Sequence, residues 1–361
     1  MIAEFLSPND ARWRGFLERA AHDAYHLPEY CCAAGHYERG DPVAYYTDQG
    51  GQSLLMPLLV RELPAALGAP AEWRDASSPY GYSGPIATPD APIESLRCSF
   101  LALRELAAER NIVSAFIRLH PFRSVPVTVF ADVGTVVSHA PVTYVDLTKS
   151  YEDWWAETRS DHRRNIARLG RLGYSVSMDD WSTYPGFREV YQTTMRRRSA
   201  NPFYYFSDGY FDELRELLGS CLHLCTVHAP AGDVAAAGLF MVADGIAEYH
   251  LGGTADEYFA LAPSKLMLDY FRRWAKELGC SLLNLGGGIG GSSDSLQRFK
   301  SGFSRSQADF HTVRIVFDRD RYERLTSASR RSTAGDDAAD GFFPAYRHLD
   351  RMDAETDERP A

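Results

Sequence analysis

One order of elements occurs twice in this chain, and it restricts the fold more than any single motif does. In the first half, "PVAYYT" and "SLLMPLLVREL" flank the turn "DQGG" as a hairpin. A helical repeat of Leu96, Phe100, Leu103 and Ala107 follows, and then the strand "NIVSAFIRL". In the second half, "HLCTVHA", "VAAAGLFMVA" and "IAEYHLGG" form a meander across the turns "PAGD" and "DG". A helix from about 263 to 279 and the strand "SLLNL" complete the same series. A recurring order at a large offset is what a duplicated domain shows. The 361 residues, 45% of them apolar, have room for two such cores. The reading is an α/β (α+β) chain with a first domain over 1–148, a second over 149–325, and a largely flexible tail over 326–361. Within that tail the aromatic segment "FFPAYR" is expected to dock.

Between the halves, "YEDWWAETRSDHRRNIARLGRLG" predicts one helix. Trp155, His162, Ile166 and Leu169 line its inner face, and Arg164, Arg168 and Arg171 lie opposite. The formal charge of −10 argues against a general nucleic-acid coat, while arginines gathered on one face can still engage phosphate. The N-terminus "MIAEFLSPND" lacks the basic and apolar regions of a signal peptide, and no apolar run approaches membrane-spanning length, so a cytoplasmic protein is expected. Six dispersed cysteines fit free thiols in a reducing compartment. Cys221, His223 and Cys225 match no standard zinc spacing, and no metal is expected.

The stretch "LLNLGGGIGGSSDSLQRFKSGF" contains Gly286, Gly288 and Gly291 in the G-x-G-x-x-G spacing of dinucleotide-binding loops. That reading requires the third glycine to lie in the first turn of a helix whose N-terminus holds pyrophosphate. Here "SSDS" intervenes and supplies a cap of its own, the preceding strands are antiparallel, and too little chain follows for a doubly wound sheet. A nicotinamide or flavin enzyme is therefore set aside.

The order meander, helix, strand, glycine-rich loop, short helix, strand resembles the GNAT acyltransferase fold. Two such units in tandem resemble the Fem-type peptidyltransferases and their FemAB-like acetyltransferase relatives. The stretches that carry the resemblance are "SPYGYSGPI", "DHRRNIARLGRLGYSV", "FYYFSDGYFDEL", "EYHLGGTADEYFALAPSKLM", "LNLGGG", "LQRFKSGFS" and "FFPAYR". They occur in the family's order over nearly the whole chain. The resemblance implies splayed mixed sheets, transfer of an acyl or aminoacyl group to an amine, and a lysine at the transfer site, which here is Lys300 in "RFKSGF". Such a lysine stabilises the oxyanion that develops during acyl transfer. Phe299 beside it fixes the helix, and Gly286, Gly287 and Gly288 allow close approach of the donor to the backbone. Tyr80, Tyr82, Ser83 and Gly84 are candidates for the acceptor side, and Tyr249 for the substrate site. His250 is a second catalytic candidate, as a base, against the plainer reading of a buried structural histidine.

The donor is read two ways. The loop "GGTADEYFALAPSKLM" lacks the Q/R-x-x-G-x-G/A pattern by which GNAT enzymes grip coenzyme A. It keeps a helix start at Ser264 with Lys265 in the first turn, which still suits a phosphate. Arg164, Arg168 and Arg171, with "MRRRS" (Arg196 to Arg198), favour aminoacyl-tRNA. Aminoacyl-tRNA is the expected co-substrate, acyl-coenzyme A the alternative, and no tightly bound cofactor is expected. The acceptor would be an amine of a small molecule, peptide or cell-wall precursor. A tandem-GNAT protein that binds without catalysing is a third reading, opposed by Lys300 and the glycine loop.

Overall fold

A computed structural model describes residues 1–288, 291, 292, 294–332 and 342–347. In chain order it begins with β1 (Ile2–Leu6), α1 (Ala11–Leu17), α2 (Pro28–Glu38), β2 (Gly40–Gln49), β3 (Gln52–Glu62), β4 (Arg74–Ser77), the two-residue β5 (Ile86–Ala87), α3 (Ile93–Glu109) and β6 (Ile112–Arg118). Then come β7 (Thr135–Asp146), α4 (Tyr151–Glu157) and α5 (Ser160–Arg171). The first series then recurs as β8 (Ser175–Met178), α6 (Tyr184–Arg197), α7 (Asp208–Leu218), β9 (Leu222–His228), β10 (Val234–Ala243), β11 (Ile246–Thr254), α8 (Ser264–Glu277) and β12 (Leu282–Gly286). The chain closes with α9 (Ser295–Lys300), β13 (Gln307–Val316) and α10 (Arg319–Ser332).

The chain divides into two compact units, residues 1–138 with 311–361 and residues 139–310. The first unit's strands run β1-β2-β3-β4-β6-β13, with β5 beside β3. Its β4–β6 pair is parallel and the other pairs along that path are antiparallel. The second unit runs β8-β9-β10-β11-β12-β7, and here β11–β12 is the parallel pair. Each parallel pair is bridged by a helix, α3 or α8, as a parallel connection requires. A GNAT-like unit therefore occurs twice, and each is completed by a strand, β13 or β7, that the chain brings from outside the unit's own series.

Burial follows the sequence pattern. Leu96, Phe100, Leu103 and Ala107 line the buried face of α3 and pack with Tyr45, Leu54, Met56 and Ile117 in the first unit's core. In the second unit, Ile166 and Leu169 of α5 and Leu266 and Phe271 of α8 pack with Ala236 and Leu283. Phe271 stacks on Phe240 of β10 with 3.6 Å between ring centroids. All six cysteines are free thiols. No described helix is long and apolar enough to cross a membrane.

Two local expectations are revised. The single helix read over 151–173 is two helices, α4 and α5, broken at Thr158 and Arg159, whose ψ angles of 128° and 141° are extended. The Thr158 hydroxyl donates back to the Trp154 carbonyl at 2.6 Å, and the Arg159 amide donates to the Gly302 carbonyl instead of continuing the helix. The break resets the helical phase, so Trp154, not Trp155, is the buried tryptophan. Residues 326–332, read as the start of the tail, belong to α10. The docking segment does pack: Tyr346 is buried with Leu67, Trp73, Val113 and Leu325. The remaining tail positions, 333–341 and 348–361, lie outside the described residues.

Candidate functional site

In the second unit, β11 and β12 pair at only three positions, Ile246–Leu282, Ala247–Leu283 and Glu248–Asn284. Beyond these, β11 continues to Thr254 along β10, while Gly286 of β12 pairs with Thr143 of β7. The two neighbours thus part at their C-terminal ends, the splay expected from the sequence. Asn284 ties off the last shared position. Its Nδ2 donates to Glu248 Oε2 at 2.9 Å and its Oδ1 accepts from the Gly286 amide at 2.9 Å.

Gly286 then turns with φ of 77°, a left-handed conformation that glycine adopts without strain. Gly288 is small for a different reason: a Cβ there would lie 2.1 Å from the Ser292 carbonyl oxygen and 2.6 Å from Asp294 Oδ1. At that position the loop's own fold requires the missing side chain, where the sequence suggested room for a donor. Asp294 caps α9 by accepting from the Leu296 and Gln297 amides, each at 2.9 Å. The cap read from "SSDS" is therefore present. Gly290, with Ile289 and Ser293, lies outside the described residues.

Lys300 ends α9 and is 8% exposed, unlike the solvated lysine that an isolated helix position suggests. Its Nζ donates to the Gly287 carbonyl at 2.8 Å and lies 6.0 Å from the centre of the Tyr249 ring. Burial lowers its pKa to about 8, against the opposing pull of the Asp294 and Glu248 carboxylates. Tyr249 is pushed up to about 12 by burial. The site thus holds a desolvated ammonium, charged at neutral pH, with N–H donors beyond the one used on Gly287. Phe299 packs against the rings of His162 and Phe303, as a residue that fixes α9.

His250 sits on β11 where the register with β10 shifts, a bulge that re-aims a side chain. It is buried, and desolvation lowers its pKa to about 3. A neutral imidazole of that basicity is a poor base near neutral pH, which favours the structural reading of this histidine. Ser264 and Lys265 open α8, where three first-turn amides are already satisfied: Lys265 donates to Ala262, and Leu266 and Met267 donate to Pro263. Lys265 Nζ is paired with Asp161 at 3.3 Å. Arg164, Arg168 and Arg171 are exposed on α5, and none has a carboxylate partner among the described residues. Arg197, in contrast, is paired with Asp256.

In the first unit, the segment holding Tyr80, Tyr82, Ser83 and Gly84 lies against a buried cluster that sequence reasoning missed. Asp23 receives His120 Nε2 at 2.9 Å and lies 2.7 Å from His26 Nδ1. Burial raises the Asp23 pKa, but the two histidines outweigh it and hold the carboxyl below its ordinary range. His120 Nδ1 accepts from the Phe122 and Arg123 amides, so its proton sits on Nε2. His26 Nε2 donates to the Gly84 carbonyl at 3.1 Å. Gly84 has no room for a Cβ, which would lie 2.7 Å from Leu119 Cα. The Tyr80 amide donates to Glu38 and its carbonyl accepts from Tyr30. Tyr82 faces Tyr25 edge-on at 5.8 Å. The Ser83 hydroxyl is buried with no hydrogen-bond partner among the described residues. Asp23-x-x-His26 has the spacing of a helix cap, but nothing local in the sequence points to His120.

The comparisons agree with this architecture. Residues 156–301 match the family model "Acetyltransferase (GNAT) domain", which covers the segment containing α5, the splay and Lys300. No curated protein matches the sequence. Among solved structures, FemX is 12% identical with a TM-score of 0.68, covering 89% of this chain and 99% of its own. L-PGS from Bacillus licheniformis is 14% identical with a TM-score of 0.55, covering 87% of this chain and 94% of its own. At these identities the structures speak to the fold, while the family match speaks to the chemistry of the second unit. Residues 156–301, with the buried lysine at their splay, are thus similar to GNAT acetyltransferase domains, and the chain as a whole has a FemX-like fold built from two such units.

Proposed function

We propose that the protein moves an aminoacyl group from aminoacyl-tRNA to the amine of a small molecule, peptide or cell-wall precursor. In this reaction the amine nitrogen bonds to the ester carbonyl carbon, the ester C–O bond breaks, and the tRNA's terminal ribose hydroxyl leaves with a proton. Lys300 donates to the carbonyl oxygen as negative charge develops there. The donor side is the second unit, read from the sequence as 149–325, and the acceptor side is the first, read as 1–148, with Tyr80, Tyr82, Ser83 and Gly84. A cytoplasmic location fits a tRNA donor.

The observation that carries the donor assignment is the stripe Arg164, Arg168 and Arg171, exposed and without carboxylate partners among the described residues. Guanidinium groups along one helix face suit a phosphate backbone. The start of α8 is less suited to a pyrophosphate, because amides there are bonded to Ala262 and Pro263 and Lys265 is paired with Asp161. The test is transfer of a labelled amino acid in the presence of its synthetase and tRNA. Transfer that stops after ribonuclease treatment and weakens steeply with salt supports the reading. The second reading, an acyl-coenzyme A-dependent N-acyltransferase, is favoured by the acetyltransferase family match over 156–301. Saturable acetyl-coenzyme A binding with no measurable affinity for charged tRNA would establish it in place of the first.

A further inference from the structure

The last turn of α9 is gripped from outside the helix. Arg159 Nη1 donates to the Arg298 carbonyl at 3.2 Å, and His162 Nε2 donates to the Phe299 carbonyl at 3.1 Å. The Arg159 amide donates to the Gly302 carbonyl at 2.8 Å. α9 has six residues, too few for a helix to be stable without such contacts. His162 is fully buried, with its ring 5.6 Å from that of Phe299 and 4.8 Å from that of Phe303. Gly302 makes way for it: a Cβ there would lie 2.4 Å from His162 Cε1.

The ring's proton can be placed. A carbonyl only accepts, so Nε2 carries a hydrogen, while Nδ1 lies between Asp161 Oδ2 at 3.2 Å and Arg159 Nη2 at 3.4 Å. The charged groups facing the ring are Asp161 and Arg159 from its own segment and Lys265 from α8. Burial first, then Lys265, lowers its pKa to about 4, so the ring is neutral at pH 7. Asp161 is shared between Arg159 and Lys265.

We infer that His162 is a positioning residue for Lys300: by fixing the Phe299 carbonyl it sets the direction in which the adjacent lysine leaves α9 toward Gly287. α5 buries His162, Ile166 and Leu169 on one face and exposes Arg164, Arg168 and Arg171. A phosphate-bearing donor held on that helix therefore acts on the ammonium through one rigid element. This inference rests on the assignment of Lys300 to the transfer step.

The chain has four lysines, Lys149, Lys265, Lys276 and Lys300. Labelling with 13C-lysine therefore gives four side-chain signals, and Lys300→Arg identifies the one sought. In the wild type and in His162→Gln, which retains an N–H donor, Lys300 is expected to titrate near 8. In His162→Leu its titration should move up by about one unit or more as the ammonium regains water. The value of kcat should fall about tenfold while KM for the donor stays within about threefold. A folded His162→Leu protein with unchanged titration and unchanged kcat overturns the inference. If that variant fails to fold, His162→Phe, which keeps a ring in the same space but has no N–H donor, replaces it; unchanged titration there is equally fatal. The titration needs no substrate. A shifted Lys300 in a protein inactive with every donor would keep the clamp and remove the transfer assignment instead.

Discussion

A lysine that is 8% exposed is largely removed from water, and at Lys300 a hydrogen bond to the Gly287 carbonyl replaces part of the lost hydration. Folding lowers this pKa from 10.5 to about 8. Below pH 8 the folded protein therefore bears the full cost of the buried charge. Between about 8 and 10.5 the unfolded chain still holds a proton that the folded chain has released, and stability rises with pH over that window. Lys300→Met, which keeps the bulk without the charge, should stabilise the fold at pH 7 by roughly 1–2 kcal/mol. That advantage should fade toward pH 10.5, as checked by denaturant unfolding at both ends; destabilisation at pH 7 would show that the charge is well accommodated. Activity should run the other way. Lys300→Ala is expected to lower kcat by about a hundredfold, the usual loss for one oxyanion donor. The wild-type rate should fall as pH rises through about 8, because the deprotonated amine is a weaker donor. A profile flat to pH 10, with normal turnover in Lys300→Ala, would move the chemistry elsewhere.

At the scale of elements, α5 joins the two features on which the donor reading depends. Its exposed face carries Arg164, Arg168 and Arg171, and its buried face reaches the turn that ends in Lys300. Arg164→Glu with Arg168→Glu should weaken charged-tRNA binding by about tenfold or more at low salt and flatten its salt dependence. Circular dichroism should stay unchanged, because both side chains point to solvent. Equal binding by the variant and the wild type, measured by filter retention across a salt series, would remove tRNA from this face. The stripe was legible in the sequence because its period is helical. The break between α4 and α5 was not, because it depends on the Gly302 carbonyl, far along the chain, taking the Arg159 amide. The burial of Lys300 was hidden for the same reason: a lysine at the end of a short helix looks solvated until the loop from Gly286 folds back on it. His120, 97 residues from Asp23, gave no local signal of the buried cluster it completes with Asp23 and His26 either.

At the scale of the molecule, the repeat of strand and helix order was readable because each unit must bury its own alternating strands and helical stripe. The hidden part is the route by which each sheet acquires its last strand, β7 in one unit and β13 in the other, since pairing partners so distant in sequence leave no pattern. The C-terminal segment adds a further long-range tie within the first unit. Tyr346 reaches the Ser114 hydroxyl at 2.7 Å, and Arg347 joins Arg61 on the buried carboxylate of Asp75. Burial raises the Asp75 pKa, but the two guanidinium groups outweigh it and hold the carboxyl below its ordinary 3.8. A depressed carboxylate contributes stability that is present above the unfolded value and lost as pH falls through the folded one. Arg347→Met should therefore destabilise the protein by about 2 kcal/mol or more at pH 7, since it removes one partner of a buried charge. The deficit should shrink at acid pH, once the buried carboxyl of the variant takes up a proton that the wild-type carboxylate still resists. Ending the chain at residue 341 should cost more, because the pocket around Trp73 and Val113 also loses the Tyr346 ring. Urea unfolding of the three proteins at pH 7 and pH 3 checks both the order and the sign. A truncated chain as stable as the intact one would mean that the segment rests on the first unit without supporting it.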